Sequence, residues 1–120
     1  GDTKVTDADL ANLQAMTEVE RLNLAGTQIT DAGLVHVNGL TKLAALDLSE
    51  TKVTNNGLVH LSGLTYLQFV YLDGTQVTDA GLRHLEGLKN LRELSVEDTN
   101  VTDAGIEAIK SGLPELEVSP

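Results

Sequence analysis

The 120-residue chain has no cysteine and no tryptophan, one phenylalanine, two tyrosines and two prolines. Without cysteine there is no disulfide framework, no thiolate nucleophile and no thiolate zinc site. Basic residues are also scarce: eight Lys and Arg stand against eighteen Asp and Glu, a formal charge of -10. That sign is wrong for gripping phosphate backbones or an anionic membrane surface, so neither nucleic acid nor membrane is an expected partner. No apolar run approaches the roughly 18 residues of a spanning helix, and no charged start followed by an apolar stretch marks a signal peptide. The phosphate-binding fingerprints G-x-x-x-x-G-K and G-x-G-x-x-G do not occur. Gly1 and Asp2 stand where an initiator Met would, as expected either of a chain cut for expression or of an excised piece of a longer protein. The expectation is a soluble, monomeric chain whose compartment stays unassigned.

What is present is globular: 41% hydrophobic and 22% charged residues, at a length suited to one domain spanning 1–120. Repetition is the stronger signal, and it governs every later step. Thr3, Thr27, Thr51, Thr75 and Thr99 recur every 24 residues, each opening a near copy of one unit: TKVTDADL, TQITDAGL, TKVTNNGL, TQVTDAGL, TNVTDAGI. Five units result, 3–26, 27–50, 51–74, 75–98 and 99–120. The second half of a unit carries Leu at fixed offsets, as in Leu43, Leu46 and Leu48, so the pattern is L-x-x-L-x-L-x-x-T-x-V.

These residues resemble the leucine-rich repeats, whose pattern is L-x-x-L-x-L-x-x-N/C-x-L. The resemblance covers essentially the whole chain. The T-D-x-G-L-x-x-L-x-x-L remainder is similar to a 24-residue bacterial subtype, and to the cysteine-containing repeats of F-box-type proteins with Thr at the Asn or Cys position. It implies a right-handed β-α solenoid with five parallel strands on a concave face and short α-helices on a convex face. It is specific for fold and much less so for function.

The residues give the same architecture directly. Leu46 and Leu48 alternate with Asp47, so one face of a short strand is buried and the other is wet. Thr30 stands where a helix N-cap would, Asp31 complements the dipole, and Leu34 and Val37 recur at helical spacing, which predicts a helix of two to three turns. Gly39, Gly63 and Gly87 fall at its expected end and suit a left-handed cap. Neither element can bury its apolar stripe alone, so units stack. The Thr column that opens the units is expected to bond backbone groups in the turn leaving the sheet, as the family's Asn column does. Gly33, Gly57, Gly81 and Gly105 are expected to let neighbouring turns approach closely.

The ends depart from the pattern. In the first unit Asp9 replaces the column Gly, and Met16 and Val19 replace Leu. In the last, a two-residue deletion before Leu113 would align LPELEV with LRELSV and place a strand over Pro114–Val118, with Pro114 and Pro120 suiting a sheet edge.

The outward strand positions form five rows: Arg21, Asn23, Ala25; Ala45, Asp47, Ser49; Phe69, Tyr71, Asp73; Glu93, Ser95, Glu97; Glu115, Glu117, Ser119. Glu50 and Asp98 add carboxylates in the turns beyond. The three aromatics, Tyr66, Phe69 and Tyr71, all belong to the third unit, and Phe69 and Tyr71 are expected to be exposed side by side. Such a pair marks a binding surface, or else covers neighbouring side chains across the strands. Asp47, Asp73, Glu93 and Glu97 around it would complement a basic protein partner. Five strands at about 4.8 Å make a face about 24 Å tall, a few hundred Å² against the roughly 800 Å² per side of a standard interface. Further repeats in the native protein are the favoured remedy.

His36, His60 and His84 occupy one position in three successive helices and are expected to be mostly exposed. Three stacked imidazoles could share a transition metal, but no carboxylate accompanies them and duplication explains the column, so no metal and no cofactor are expected. No Ser, His and Asp set converges and no pocket excludes water, so no enzyme is expected. The reading is a protein-interaction module centred on Phe69 and Tyr71 with Asp47, Asp73, Glu93, Glu97, Arg21 and Asn23; the alternative is a spacer segment of a longer array with no ligand of its own.

Overall fold

The computed structural model describes residues 5–13 and 15–120, so Thr3 lies outside the described residues. In each unit a three-residue strand forms around one inward Leu or Val: β1 (Arg21–Asn23), β2 (Ala45–Asp47), β3 (Phe69–Tyr71), β4 (Glu93–Ser95) and β5 (Glu117–Ser119). All neighbours are parallel, and the order across the open sheet is that of the chain. Parallel strands need a crossover, and the T-D-x-G-L segment supplies it. The helices are α1 (Asp7–Leu10), α2 (Asp31–Val37), α3 (Asn55–Leu58), α4 (Asp79–Leu82) and α5 (Asp103–Gly112).

Thr30 caps α2 and Thr54 caps α3, each accepting from a backbone N–H at 3.3 Å, while Thr102 accepts from Gly105 N–H. Only α5 approaches three turns. In α1, α3 and α4 a single α-turn tightens into a 3-10 turn, at Ala11–Leu13, Val59–Leu61 and Arg83–Leu85. Two short turns suffice because Leu34 and Val37 in α2, and their equivalents Leu58 and Leu61, already reach the core from that length.

Leu46 and Leu48 are fully buried at 0% exposure and Asp47 between them is half-buried on the opposite face, so the alternation read from the sequence holds. Leu22, Leu46, Val70, Leu94 and Val118 pair side by side across the sheet. One continuous apolar cluster runs from Leu10 to Leu116, each buried Leu contributing about 1.5–3 kcal/mol. In the first unit Met16, at the position of the buried Leu40 and Leu64, is 52% exposed.

The Thr column closes the turn after each strand. Thr27, Thr51 and Thr75 are buried, and their hydroxyls donate to the carbonyls of Leu24, Leu48 and Leu72 at 2.6–2.7 Å. Thr99 donates to Val96 at 2.5 Å. The residue just before each Thr carries the left-handed backbone of the unit: Gly26 (φ 71°), Glu50 (φ 56°), Gly74 (φ 69°) and Asp98 (φ 56°). Gly39, Gly63 and Gly87 are therefore not left-handed caps, which corrects the sequence expectation. The sharp reversal lies between strand and helix, because the parallel ladder continues beyond the strand and must then break: Leu48 N–H still donates to Tyr71 O, and Glu50 N–H to Asp73 O, both at 2.8 Å.

The last unit also departs from expectation. Glu93 pairs with Glu117 and Ser95 with Ser119, so β5 keeps the 24-residue register and no two-residue deletion shifts it. The pair Leu113 and Leu116 repeats the turn of Leu88 and Leu91, each closed by a bond of 2.9–3.0 Å, but displaced by one residue. The ten-residue α5 absorbs that extra residue, and one fewer lies between Leu116 and the strand. Glu115 consequently lies outside the concave rows and pairs with Arg92 at 3.0 Å.

Candidate functional site

The concave surface is built by β-strand residues whose side chains point away from the Leu layer. Register places Arg21, Ala45, Phe69, Glu93 and Glu117 in one row and Asn23, Asp47, Tyr71, Ser95 and Ser119 in the next. Phe69 and Tyr71 share this face on either side of buried Val70 as expected, but both are half-buried where the sequence suggested exposure. The cause is the strand spacing: at about 4.8 Å a large ring leans on the strands beside it.

Tyr71 Oη donates to Glu93 Oε2 at 3.4 Å. Burial of the ring raises the Tyr71 pKa first, and the charge of Glu93, its hydrogen bond and the charge of Asp47 raise it further. Asp73 Oδ1 accepts from Ser95 Oγ at 2.6 Å and from Glu97 N–H at 2.8 Å. That closure explains why Ser95, expected to face outward into solvent, is only 7% exposed. Asp73 is thereby a fixed carboxylate, and with Tyr71, Glu93, Glu97 and Glu117 it lines a shallow acidic depression.

Asn23 and Asp47 do something different. Asn23 Oδ1 accepts from Ala25 N–H and Asp47 Oδ1 from Ser49 N–H, both at 3.0 Å, which holds the chain as it leaves the strand. Each keeps only part of its polar capacity for a ligand. Arg21 is exposed on β1, two strands from Phe69.

A second depression lies between Arg21 and Phe69; the sequence reading placed Arg21, Ala45, Phe69 and Tyr71 on this face but did not name Glu20, Ala44 or Gln68. Its floor is Ala44 and Ala45, and its walls include Glu20, Gln68 and Tyr71. At these two columns the other units carry Glu20 and Arg21, Gln68 and Phe69, Arg92 and Glu93, or Leu116 and Glu117, so only the second unit has two small residues side by side. That contrast was visible in the repeat alignment. A neighbouring hollow shares Glu20, Ala44 and Gln68 and reaches Lys42 and Tyr66. Tyr66 is 60% exposed, so all three aromatics border one surface centred on Ala44 and Ala45.

The His column is half-buried on the helical side, away from these depressions. Among the described residues no group of three or more His, Asp or Glu side chains is placed to hold a metal ion. Nor is any helix among them long and apolar enough to cross a membrane.

A family model described as "Leucine Rich repeat" matches residues 16–36 and 87–110. Over these two segments the chain is similar to the leucine-rich-repeat family. Members of this family are in general protein-interaction scaffolds and typically not enzymes. Among solved structures, the crystal structure of an internalin (InlF) from Listeria monocytogenes aligns with a TM-score of 0.62 at 19% identity, covering 97% of this chain. The likeness is one of fold, an open leucine-rich-repeat sheet with short helices on its outer side. This chain spans 38% of the internalin chain's length. No curated protein gives a significant match to the sequence.

Proposed function

We propose that residues 1–120 act as one leucine-rich-repeat domain that recognises a protein segment of basic character through its concave face. The observation that carries this reading is the adjacency of two unlike depressions sharing Tyr71. One is floored by Ala44 and Ala45 beside Phe69, and the other is ringed by Asp73, Glu93 and Glu97. An apolar side chain fits the first, and a Lys or Arg beside it meets carboxylates in the second. A cation over the Tyr71 ring would add about 0.5–2 kcal/mol. Phe69, Tyr71, Asp73, Glu93 and Glu97 make the contacts, Asp47 adds negative field, and Arg21 sets the far rim. Asn23 acts through the turn it holds. The net charge of -10 speeds the approach of a cationic partner and makes binding weaken with salt.

The test is a titration of the 15N-labelled protein with a Lys-Trp-Lys-Lys peptide at low salt. Chemical-shift changes clustered at Ala45, Phe69, Tyr71 and Glu93, lost in the folded Phe69→Ala plus Tyr71→Ala variant, support the proposal. Changes scattered over the helical side, or unaltered in the double variant, eliminate this face.

A further inference from the structure

The two ends of the solenoid treat the same pair of columns in opposite ways. In units one to four the residue that opens the helix binds the N-cap Thr of the next unit. Asp7 accepts from Thr30 N–H at 2.7 Å and from its hydroxyl at 2.5 Å. Asp79 does the same for Thr102, at 2.7 and 2.5 Å. Asp31 takes Thr54 N–H at 2.7 Å and accepts its hydroxyl as well. The space for each carboxylate or amide is the missing side chain of the column Gly. A methyl on Gly33, Gly57, Gly81 or Gly105 would overlap the Oδ1 of Asp7, Asp31, Asn55 or Asp79.

In the first unit Asp9 stands in that Gly column, 24 residues before Gly33. Its carboxylate accepts from Thr6 N–H at 3.0 Å and from Thr6 Oγ1 at 3.3 Å. Asp9 thus satisfies, from within the unit, the two donors that a neighbouring Asp satisfies elsewhere, and fills the space that Asp would need. At the other end Asp103 continues the acceptor column, is exposed, and accepts no hydrogen bond among the described residues. Beside it, among the described residues, β5 pairs only with β4.

We propose that stacking on this solenoid is directional. The face bearing Asp103 and the β5 edge docks a further 24-residue unit of T-D-x-G pattern, whose Thr donates to Asp103 and whose Gly admits it. The face bearing Thr6 is closed to such addition by Asp9. A second wild-type copy cannot dock in register at the open face, because Asp9 would bring a carboxylate against Asp103 where even a methyl is too large.

The single substitution Asp9→Gly converts TDAD to TDAG, the sequence found at Thr30, Thr78 and Thr102. The expectation is head-to-tail association of Asp9→Gly, read by sedimentation as an average mass that climbs with concentration above 12.7 kDa. Wild type and Asp9→Gly plus Asp103→Ala should stay monomeric. A monomeric Asp9→Gly protein, a self-associating wild type, or association that survives Asp103→Ala would each overturn the proposal. Should Asp9→Gly fail to fold, a copy of residues 73–96 joined after Pro120 decides the matter, since it sets its own Thr78 and Gly81 opposite Asp103. That extension should raise the urea midpoint, and the same extension with Gly81→Asp in the copy should not; equal midpoints reject the docking face.

Discussion

Asn55 and Thr78 are joined by two hydrogen bonds of opposite sense. Asn55 Oδ1 accepts from Thr78 N–H at 2.8 Å, and Asn55 Nδ2 donates to Thr78 Oγ1 at 2.7 Å. In the flanking units Asp31 and Asp79 receive both bonds, so the third unit preserves the link with a neutral side chain and a reversed hydroxyl. The link therefore depends on a short side chain with two polar atoms more than on charge.

The first prediction follows for Asp31. Asp31→Asn should cost under about 1 kcal/mol, because the amide can repeat the Asn55 geometry, while Asp31→Ala should cost about 1–3 kcal/mol by leaving the half-buried Thr54 donors unmatched. Urea denaturation of the two variants decides it; equal losses would show that the bridge is incidental.

Asp79 carries a pH signature. The Thr102 hydroxyl bond, then the Thr102 N–H bond, lower its pKa below the ordinary carboxylate value. A carboxylate depressed in the folded state adds stability that is present above its unfolded value and lost as pH falls through the folded one. Stability relative to Asp79→Asn should thus be constant near neutrality and shrink in the acid range below the ordinary carboxylate pKa. The check is urea midpoints measured against pH; a gap that does not change in acid contradicts it.

Two glycines make a matched pair. Gly57→Ala forces a methyl onto Asp31 and within 2.9 Å of Leu34 Cδ1, and should destabilise by about 1–3 kcal/mol. Gly39 has no left-handed backbone, and a methyl there meets nothing within 4 Å. Gly39→Ala should stabilise by about 0.4–1 kcal/mol through the unfolded chain. Thermal melts of both variants suffice, and the ordering is the test.

That contrast also shows what the sequence could convey. The columns of Leu46, Asp47, Thr51 and Gly57 were legible because each is repeated, and repetition ties a residue type to one environment. Gly39 belongs to an equally regular column, yet repetition alone does not distinguish a residue required by geometry from one merely tolerated. The left-handed position was hidden for the converse reason. Its column reads Gly26, Glu50, Gly74, Asp98, and two of the four bear side chains. The β5 register was misread because local Leu spacing favoured a deletion, whereas backbone pairing with Glu93 and Ser95 sets the strand. Half-burial of Phe69 and Tyr71 depends on neighbours 24 residues away. The Ala44 and Ala45 floor was visible only as an absence of bulk.

Tyr71 offers a spectroscopic check on the concave face. Its pKa is raised, chiefly by burial and then by Glu93, so the neutral phenol is favoured in the folded state. The associated stability is present below the ordinary tyrosine pKa, near 10, and is lost as pH rises through the higher folded value. Ultraviolet titration of the Tyr66→Phe protein, in which Tyr71 is the remaining tyrosine, should show ionisation above that ordinary value. Glu93→Gln in the same background should lower the midpoint without restoring it fully, since burial persists. An unmoved midpoint would separate Glu93 from the ring.

Because strand order across the sheet equals order along the chain, every layer is held only by the one before and the one after. Opening can then begin only where a layer has a single neighbour, and it must travel inward unit by unit. Amide exchange should accordingly be graded, fastest at Leu22 and Val118 and slowest at Val70 and Leu72. The centre of the array, where Phe69 and Tyr71 stand, is thus the last part of the molecule to fray.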